Sequence, residues 1–182
     1  MKKFIIVLAL IINFLFFFNN CQSHWVQSNG SNGGMLYCFI TVGTNILAGG
    51  HNGVLLSTDN GASWYLANNG LPSPVHTLNL SGTNIFAGTE GNGVYKSTNN
   101  GSSWIATNNG LNNKTIKAFA ISNNNFYAGC GSTNPLVSKG IYLSTNNGNN
   151  WTFLGLSNKN VSSIAVLGSN VYAATNSSMN YG

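Results

Sequence analysis

The sequence predicts an all-β fold, a β-propeller of four-stranded antiparallel blades, and three observations predict it. An eight-residue box recurs as STDNGASW (57–64), STNNGSSW (97–104) and STNNGNNW (144–151). The tryptophans of successive boxes lie 40 and 47 residues apart, the longer interval holding an insertion at CGSTNPLVSKG (130–140). Between the boxes stand short runs rich in Val, Ile, Phe, Tyr and Thr, punctuated by Gly and Asn, and no segment after residue 18 carries a helical stripe. Four such runs in each unit of about 40 residues is the period of a propeller blade.

Taken in order, the chain opens with a leader. Met1, Lys2 and Lys3 form a positive start, and FIIVLALIINFLFFF (4–18) is an apolar run too short for a comfortable membrane span. Residues 1–23 read as a signal peptide cleaved after Ser23, with Cys21 and Ser23 as the small residues before the cut. Lipid attachment at Cys21 is the alternative, although Phe18, Asn19 and Asn20 are a poor approach to a lipidated cysteine; an uncleaved anchor is the third reading. The exported product is expected to be secreted or held at the cell surface, as an outer-membrane lipoprotein if Cys21 is modified.

From residue 24 the repeat takes over. WVQSNG (25–30) matches WYLANNG (64–70), so 24–30 reads as a ring-closing strand. Blade 1 spans 35–70, blade 2 spans 75–110 and blade 3 spans 116–157. In blade 2 the expected strands are a (75–81), b (84–89), c (93–99) and d (104–107). A truncated blade 4 follows at 161–182, where Gly182 aligns with Gly93 and Gly140 at the start of strand c. The expected product is an incomplete arc of about three and a half blades, part of a longer chain, because closed rings need about four to eight. The complete ring is expected to be monomeric, and the mature chain to lack a membrane span.

The box is a hairpin with an anchor. Ser57, Ser97 and Ser144 end strand c, and Gly61, Gly101 and Gly148 follow an Asn in each tight turn, where positive φ is needed. Asp59, Asn99 and Asn146 are placed to accept backbone N–H groups of the turn. Trp64, Trp104 and Trp151 are the anchors, each expected to bury its indole between neighbouring strands. These twelve residues are structural candidates rather than chemical ones.

The pattern Ser-x-Asp-x-Gly-x-x-Trp resembles the Asp-box of the sialidase (BNR) repeat superfamily. With strand b reading IFAGT and strand c GVYKST, the unit is similar to secreted propellers related to photosystem II assembly factors and to the sortilin-type VPS10 domain. The likeness covers about residues 25–182 and extends to low-charge, Asn-rich exported repeat proteins of the Bacteroidetes type. Asn99 and Asn146 depart from the motif, which keeps its acid only at Asp59.

Composition argues against most chemistry. Charged residues make up 5% of the chain, against roughly a quarter in an ordinary soluble domain. All seven basic residues are lysines, and the formal charge of +5 falls to about +3 without Lys2 and Lys3. The remaining lysines are scattered in sequence, which argues against nucleic acid as a partner. Cys38 and Cys130 read as small buried hydrophobes, and His24, His51 and His76 do not stand at metal-ligand spacing from them, so no metal is implied.

The resemblance to sialidases would imply an arginine cluster, a tyrosine nucleophile with a glutamate, and an acid-base aspartate. Here there is no arginine, and Asp59 and Glu90 are the acids of the whole chain. Glu90, in TEGNG, reads as a turn residue without a partner carboxylate, and His51 and His76 have no acidic neighbour in sequence. No GxSxG elbow and no phosphate loop appear, and nothing asks for a cofactor. The reading is a non-catalytic binding or scaffolding module with a protein or glycan partner at the cell surface. The alternative is a sialidase-like glycoside hydrolase whose catalytic residues lie mostly outside these 182 residues. Tyr65, Tyr95 and Tyr142 could serve a glycan, or pack between blades.

Overall fold

The structure is a computed structural model that describes residues 34–132 and 139–176. The leader at 1–23, the expected strand at 24–30, most of the insertion and the last residues of blade 4 lie outside the described residues.

The described residues form an incomplete β-propeller. The first sheet runs β1 (Leu36–Val42), β2 (Asn45–Gly50), β3 (Gly53–Ser57) and β4 (Tyr65–Leu66), in that spatial order. The second runs β5 (Val75–Ser81), β6 (Asn84–Thr89), β7 (Val94–Ser97) and β8 (Ile105–Ala106), and the third β9 (Ile116–Ser122), β10 (Asn125–Cys130), β11 (Gly140–Ser144) and β12 (Thr152–Gly155). A two-stranded sheet of β13 (Asn160–Leu167) and β14 (Asn170–Asn176) completes the series. Within each sheet every strand pairs antiparallel with its neighbour in sequence, through turns as short as Asn123–Asn124, where both residues take positive φ (48° and 65°).

The sheets stack face on face, and this explains why the middle strands are apolar without alternation. β6 and β10 are buried through their last five residues because a neighbouring sheet covers each face, and β2, whose sheet packs on the second, is buried through its last four. Leu47, Val54 and Leu56 of the first sheet meet Val75, Leu78 and Ile85 of the second. Phe86 and Val94 of the second meet Ile116, Phe119 and Phe126 of the third, and Tyr127 and Ile141 of the third meet Val161 of β13. The Ala-Gly pair inside each middle strand sets the spacing. A Cβ on Gly88 would stand 2.7 Å from Ile116 Cγ2, and one on Gly129 would stand 2.7 Å from Val161 Cγ1. Only glycine lets the first apolar residue of the next inner strand nest there.

Strands β1, β5, β9 and β13 lie against one another, whereas the fourth strands touch mainly their own sheet. The first strand of each sheet is therefore the inner one, nearest the axis. The fourth strand of the second sheet is shorter than the sequence suggests: β8 covers Ile105–Ala106, where 104–107 is expected. The reason is physical. The amide of Trp104 is bonded to Asn69 O of the preceding sheet at 2.9 Å, and that of Trp151 to Asn109 O at 2.8 Å, so the tryptophans have left the ladder of their own sheets.

Candidate functional site

The predicted box residues fall in three equivalent hairpins, one per sheet, and the structure keeps the three apart. In the first, Gly61 N donates to Ser57 Oγ at 2.8 Å, Ser57 Oγ donates to Asp59 Oδ1 at 2.9 Å, and Ser63 N donates to the same oxygen at 2.9 Å. In the second, Gly101 N donates to Ser97 Oγ and Ser103 N to Asn99 Oδ1, both at 2.9 Å. In the third, Gly148 N donates to Ser144 Oγ at 3.0 Å and Asn150 N to Asn146 Oδ1 at 2.9 Å. Asp and Asn do the same work because the accepting oxygen occupies the same place; the turns share φ angles of 57° at Asn60, Asn100 and Asn147. Trp104 and Trp151 are buried, with their indole N–H groups donated to Ala67 O and Thr107 O of the preceding sheet. Trp64 is half-buried and its indole N–H donates to Gly61 O at 3.1 Å.

A second set of residues was not legible as a site in the sequence. Asn68 Oδ1 accepts Val54 N and its Nδ2 donates to Asn52 O, both at 2.7 Å, while Asn108 repeats the clamp on Val94 N (2.7 Å) and Asn92 O (2.8 Å). Each clamp ties the segment after the outer strand back to the turn between the two middle strands.

At that same end of the sheets lies the candidate site. The inner strands carry a register shift at one equivalent place: between Leu36 and Cys38, between Val75 and Thr77, between Ile116 and Ala118, and between Val161 and Ser163. The residue left out of the ladder is Tyr37, His76, Lys117 or Ser162. A bulge at this place re-aims one side chain without disturbing the rest of the strand. Four bulges in register thus build a row across four sheets. The rings of Tyr37 and His76 are in contact, tilted by 36° with centroids 4.9 Å apart, and Lys117 Nζ stands 2.7 Å from His76 Nε2.

Glu90, from the turn after β6, joins this row. Its Oε2 lies 3.2 Å from His76 Nε2 and its Oε1 accepts from Lys117 Nζ at 3.4 Å. Glu90 stands in the turn with no partner carboxylate, as the sequence suggests, but the blade repeat brings to it His76 and Lys117, groups that stand 14 and 27 residues away. The signal was present in the strand alignment, because LYC, VHT, IKA and VSS place Tyr37, His76, Lys117 and Ser162 in one column. What it lacked was the bulge, without which that column falls on no definite face.

His76 is mostly buried, and burial together with the Lys117 ammonium pushes its pKa below the usual histidine value, against the pull of Glu90. Nε2 cannot accept from Lys117 and donate to Glu90 at once. Above its pKa the neutral ring accepts from Lys117; protonation would turn it toward Glu90 and set two cations against each other. Partial burial raises Glu90, but Lys117 and His76 outweigh it and hold the carboxyl below its ordinary range. Beside the cluster is a concavity of ≈ 390 Å3 lined by Glu90, Thr115, Lys117, Ser132, Asn160 and Ser162, within the size range of ligand pockets.

Other sequence candidates stay away from this row. Cys130 is buried, its thiol pushed up to about 12 by burial, and Cys38 is raised for the same reason, so both are poor nucleophiles. Tyr142 is buried against Phe153, and Tyr65 is exposed. Among the described residues no helix is long and apolar enough to cross a membrane.

This architecture defines a propeller, and comparison with solved structures places it among them. The extracellular domain of BT4673 from B. thetaiotaomicron superposes with a TM-score of 0.64 at 22% identity, over 82% of this chain and 21% of that one. An ancestral GH74 enzyme gives 0.59 at 22%, over 78% and 22%. YCF48 bound to D1 peptide gives 0.55 at 13%, over 79% and 47%. The chain thus spans from about a fifth to a half of these neighbours' length. No family model matches the chain, and no curated protein does.

Proposed function

We propose that the chain is a non-catalytic, exported propeller module of the Asp-box type that recognises a peptide or glycan through the bulge row at one end of its inner strands. The observation that carries this reading is the row itself: Tyr37, His76, Lys117 and Ser162 leave the ladder at one level, beside a concavity of ligand size. A stacking ring, a charged pair and hydroxyl and amide groups suit a polar partner. Two fold neighbours fit such a role, one an extracellular domain and the other a propeller bound to a peptide. The repeated hydrogen bonding of Ser57, Ser97 and Ser144 supports the Asp-box assignment.

A non-catalytic role is favoured by where the two acids stand. Strand direction alternates, so Asp59 in the turn between third and fourth strands and Glu90 in the turn between second and third point to opposite ends of the sheets. A strand of five residues separates those ends by about 17 Å, too far for two carboxylates to flank one glycosidic bond. Asp59 is moreover engaged by Ser63 and Ser57. A sialidase-like hydrolase remains the alternative, since a GH74 enzyme shares the fold.

The test is glycan-array and peptide-array binding by the chain secreted from its own leader, beside the Lys117→Ala and His76→Ala variants. Binding that both variants lose supports the reading. Binding untouched by either variant overturns the assignment of the row, and release of sialic acid from a fluorogenic sialoside supports the hydrolase.

A further inference from the structure

Glu90 and Lys117 are held in place by the fold itself. The Glu90 amide donates to Pro74 O at 3.0 Å and its carbonyl accepts Asn92 Nδ2 at 3.2 Å, so the turn that carries the carboxylate is tied on both sides. The Lys117 stem lies along Gly131, where a Cβ would stand 3.2 Å from Lys117 Cγ, and Gly131 N donates to Thr115 O at 3.1 Å. Lys117 Nζ then stands 2.7 Å from His76 Nε2 and 3.4 Å from Glu90 Oε1.

Hydrogen counting shows what this arrangement leaves over. An ammonium carries three N–H groups, and His76 and Glu90 take two of them. Because Nε2 of the neutral His76 accepts from Lys117, it has no proton to give to Glu90 Oε2, which lies 3.2 Å away. Among the described residues this leaves one N–H of the ammonium and one oxygen of a half-exposed carboxylate side by side, both on the lining of the concavity of ≈ 390 Å3. Around them Asn160 Oδ1 accepts Ser132 N at 2.8 Å, which leaves its Nδ2 to donate, and the Ser162 hydroxyl donates to Ala174 O at 3.3 Å, which leaves its oxygen to accept.

This inventory selects a ligand. The charges cancel, since the ammonium has its carboxylate and the histidine is neutral; an anion would meet Glu90 and a cation would meet Lys117. Val161 is the one apolar side chain among the described residues of the lining, and it is fully buried, so an apolar peptide side chain finds no pocket. Two neighbouring hydroxyls of a sugar ring fit instead: each both donates and accepts, and their oxygens stand on the order of one hydrogen-bond length apart, close to the spacing of the ammonium and the carboxylate.

We propose that the Glu90–Lys117 pair binds a vicinal diol of an uncharged glycan, one hydroxyl donating to Glu90 Oε2 and its neighbour accepting from Lys117 Nζ. The proposal rests on the reading of the bulge row as a binding site and narrows its partner from peptide or glycan to a neutral sugar. It gives Glu90 a task in recognition that needs no second carboxylate.

Titration calorimetry on the chain secreted from its own leader tests it, against a panel of neutral hexose oligosaccharides, their monodeoxy analogues, their sialylated counterparts and array peptides. Neutral sugars should bind, and two analogues lacking neighbouring hydroxyls should each bind about 10- to 100-fold more weakly, the effect of losing one hydrogen bond to a charged group. Glu90→Gln, at a half-exposed position and with the shape kept, should weaken the neutral sugars about tenfold. The deoxy series is read on the unaltered chain and so does not depend on how a variant folds. Neutral sugars bound equally well by the Glu90→Gln chain, or bound undiminished when any one hydroxyl is missing, overturn the proposal. Binding confined to sialylated glycans or to peptides, and lost in Lys117→Ala and His76→Ala, overturns it while the reading of the row stands. No binding, or binding that neither of those two variants moves, overturns both.

Discussion

Lys117, on the inner strand of the third sheet, places its ammonium 2.7 Å from Nε2 of His76 on the second. A lysine so close to a histidine is compatible only with the neutral ring, and the pair therefore reports on pH. His76 has its pKa lowered in the fold, so its contribution to stability is present above the ordinary histidine value of 6.5 and is lost as pH falls through the lowered one. The melting temperature should drop as pH goes from 7.5 to about 5, and His76→Gln should flatten that part of the curve. An unchanged slope in the variant would contradict the assignment.

Asp59 titrates in a different window. The hydroxyl and amide of Ser63, followed by Ser57, hold its carboxyl down at about 2 from 3.8. A depressed acid stabilises the fold above its unfolded value, and that stabilisation disappears as pH falls from about 4 to about 2. Because Asn99 and Asn146 make equivalent bonds without titrating, Asp59→Asn should leave the melting temperature at neutral pH nearly unchanged. It should remove the loss below pH 4, as followed by circular dichroism across an acid titration.

Gly88 is predicted to tolerate no side chain. Its Cβ would come within 2.6 Å of Thr77 Cγ2 and 2.7 Å of Ile116 Cγ2, in a buried contact between two sheets. Gly88→Ala should cost about 1–3 kcal/mol through overpacking, measured by urea unfolding. Truncating Ile116 in the same chain should restore part of the loss.

Asn108 gives a sharper case of a polar residue with a structural task. Asn108→Leu removes the acceptor of Val94 N and the donor to Asn92 O while keeping the size of the side chain. The stranded amide should cost about 1–3 kcal/mol. Asn108→Asp retains the acceptor and should recover the Val94 half of the interaction, seen as slower exchange of the Val94 amide than in the leucine variant.

The propeller was legible because its signals are local: the box, the strand composition and the period all lie within one unit. Box chemistry was legible for the same reason, since Ser97, Asn99 and Gly101 bond within a single turn. The row at the inner strands was not, because its members belong to different sheets and meet only once a bulge has turned each side chain. Glu90 shows the difference well: its neighbours His76 and Lys117 carry no mark of the meeting in their own surroundings. The clamps of Asn68 and Asn108 were hidden otherwise, as two more asparagines in a chain full of turn asparagines.

The bonds of Trp104 and Trp151 to the preceding sheet also bear on how such a chain can be divided. Counted by hydrogen bonds, the natural cutting point is not the stretch between one outer strand and the next inner strand, because that stretch holds the following tryptophan. A unit excised from inner strand to outer strand would leave with its neighbour's anchor socket and without its own. Engineered arrays or shortened versions of this protein should therefore be cut inside the third strand's hairpin or not at all, and loss of one sheet should loosen the sheet after it more than the sheet before.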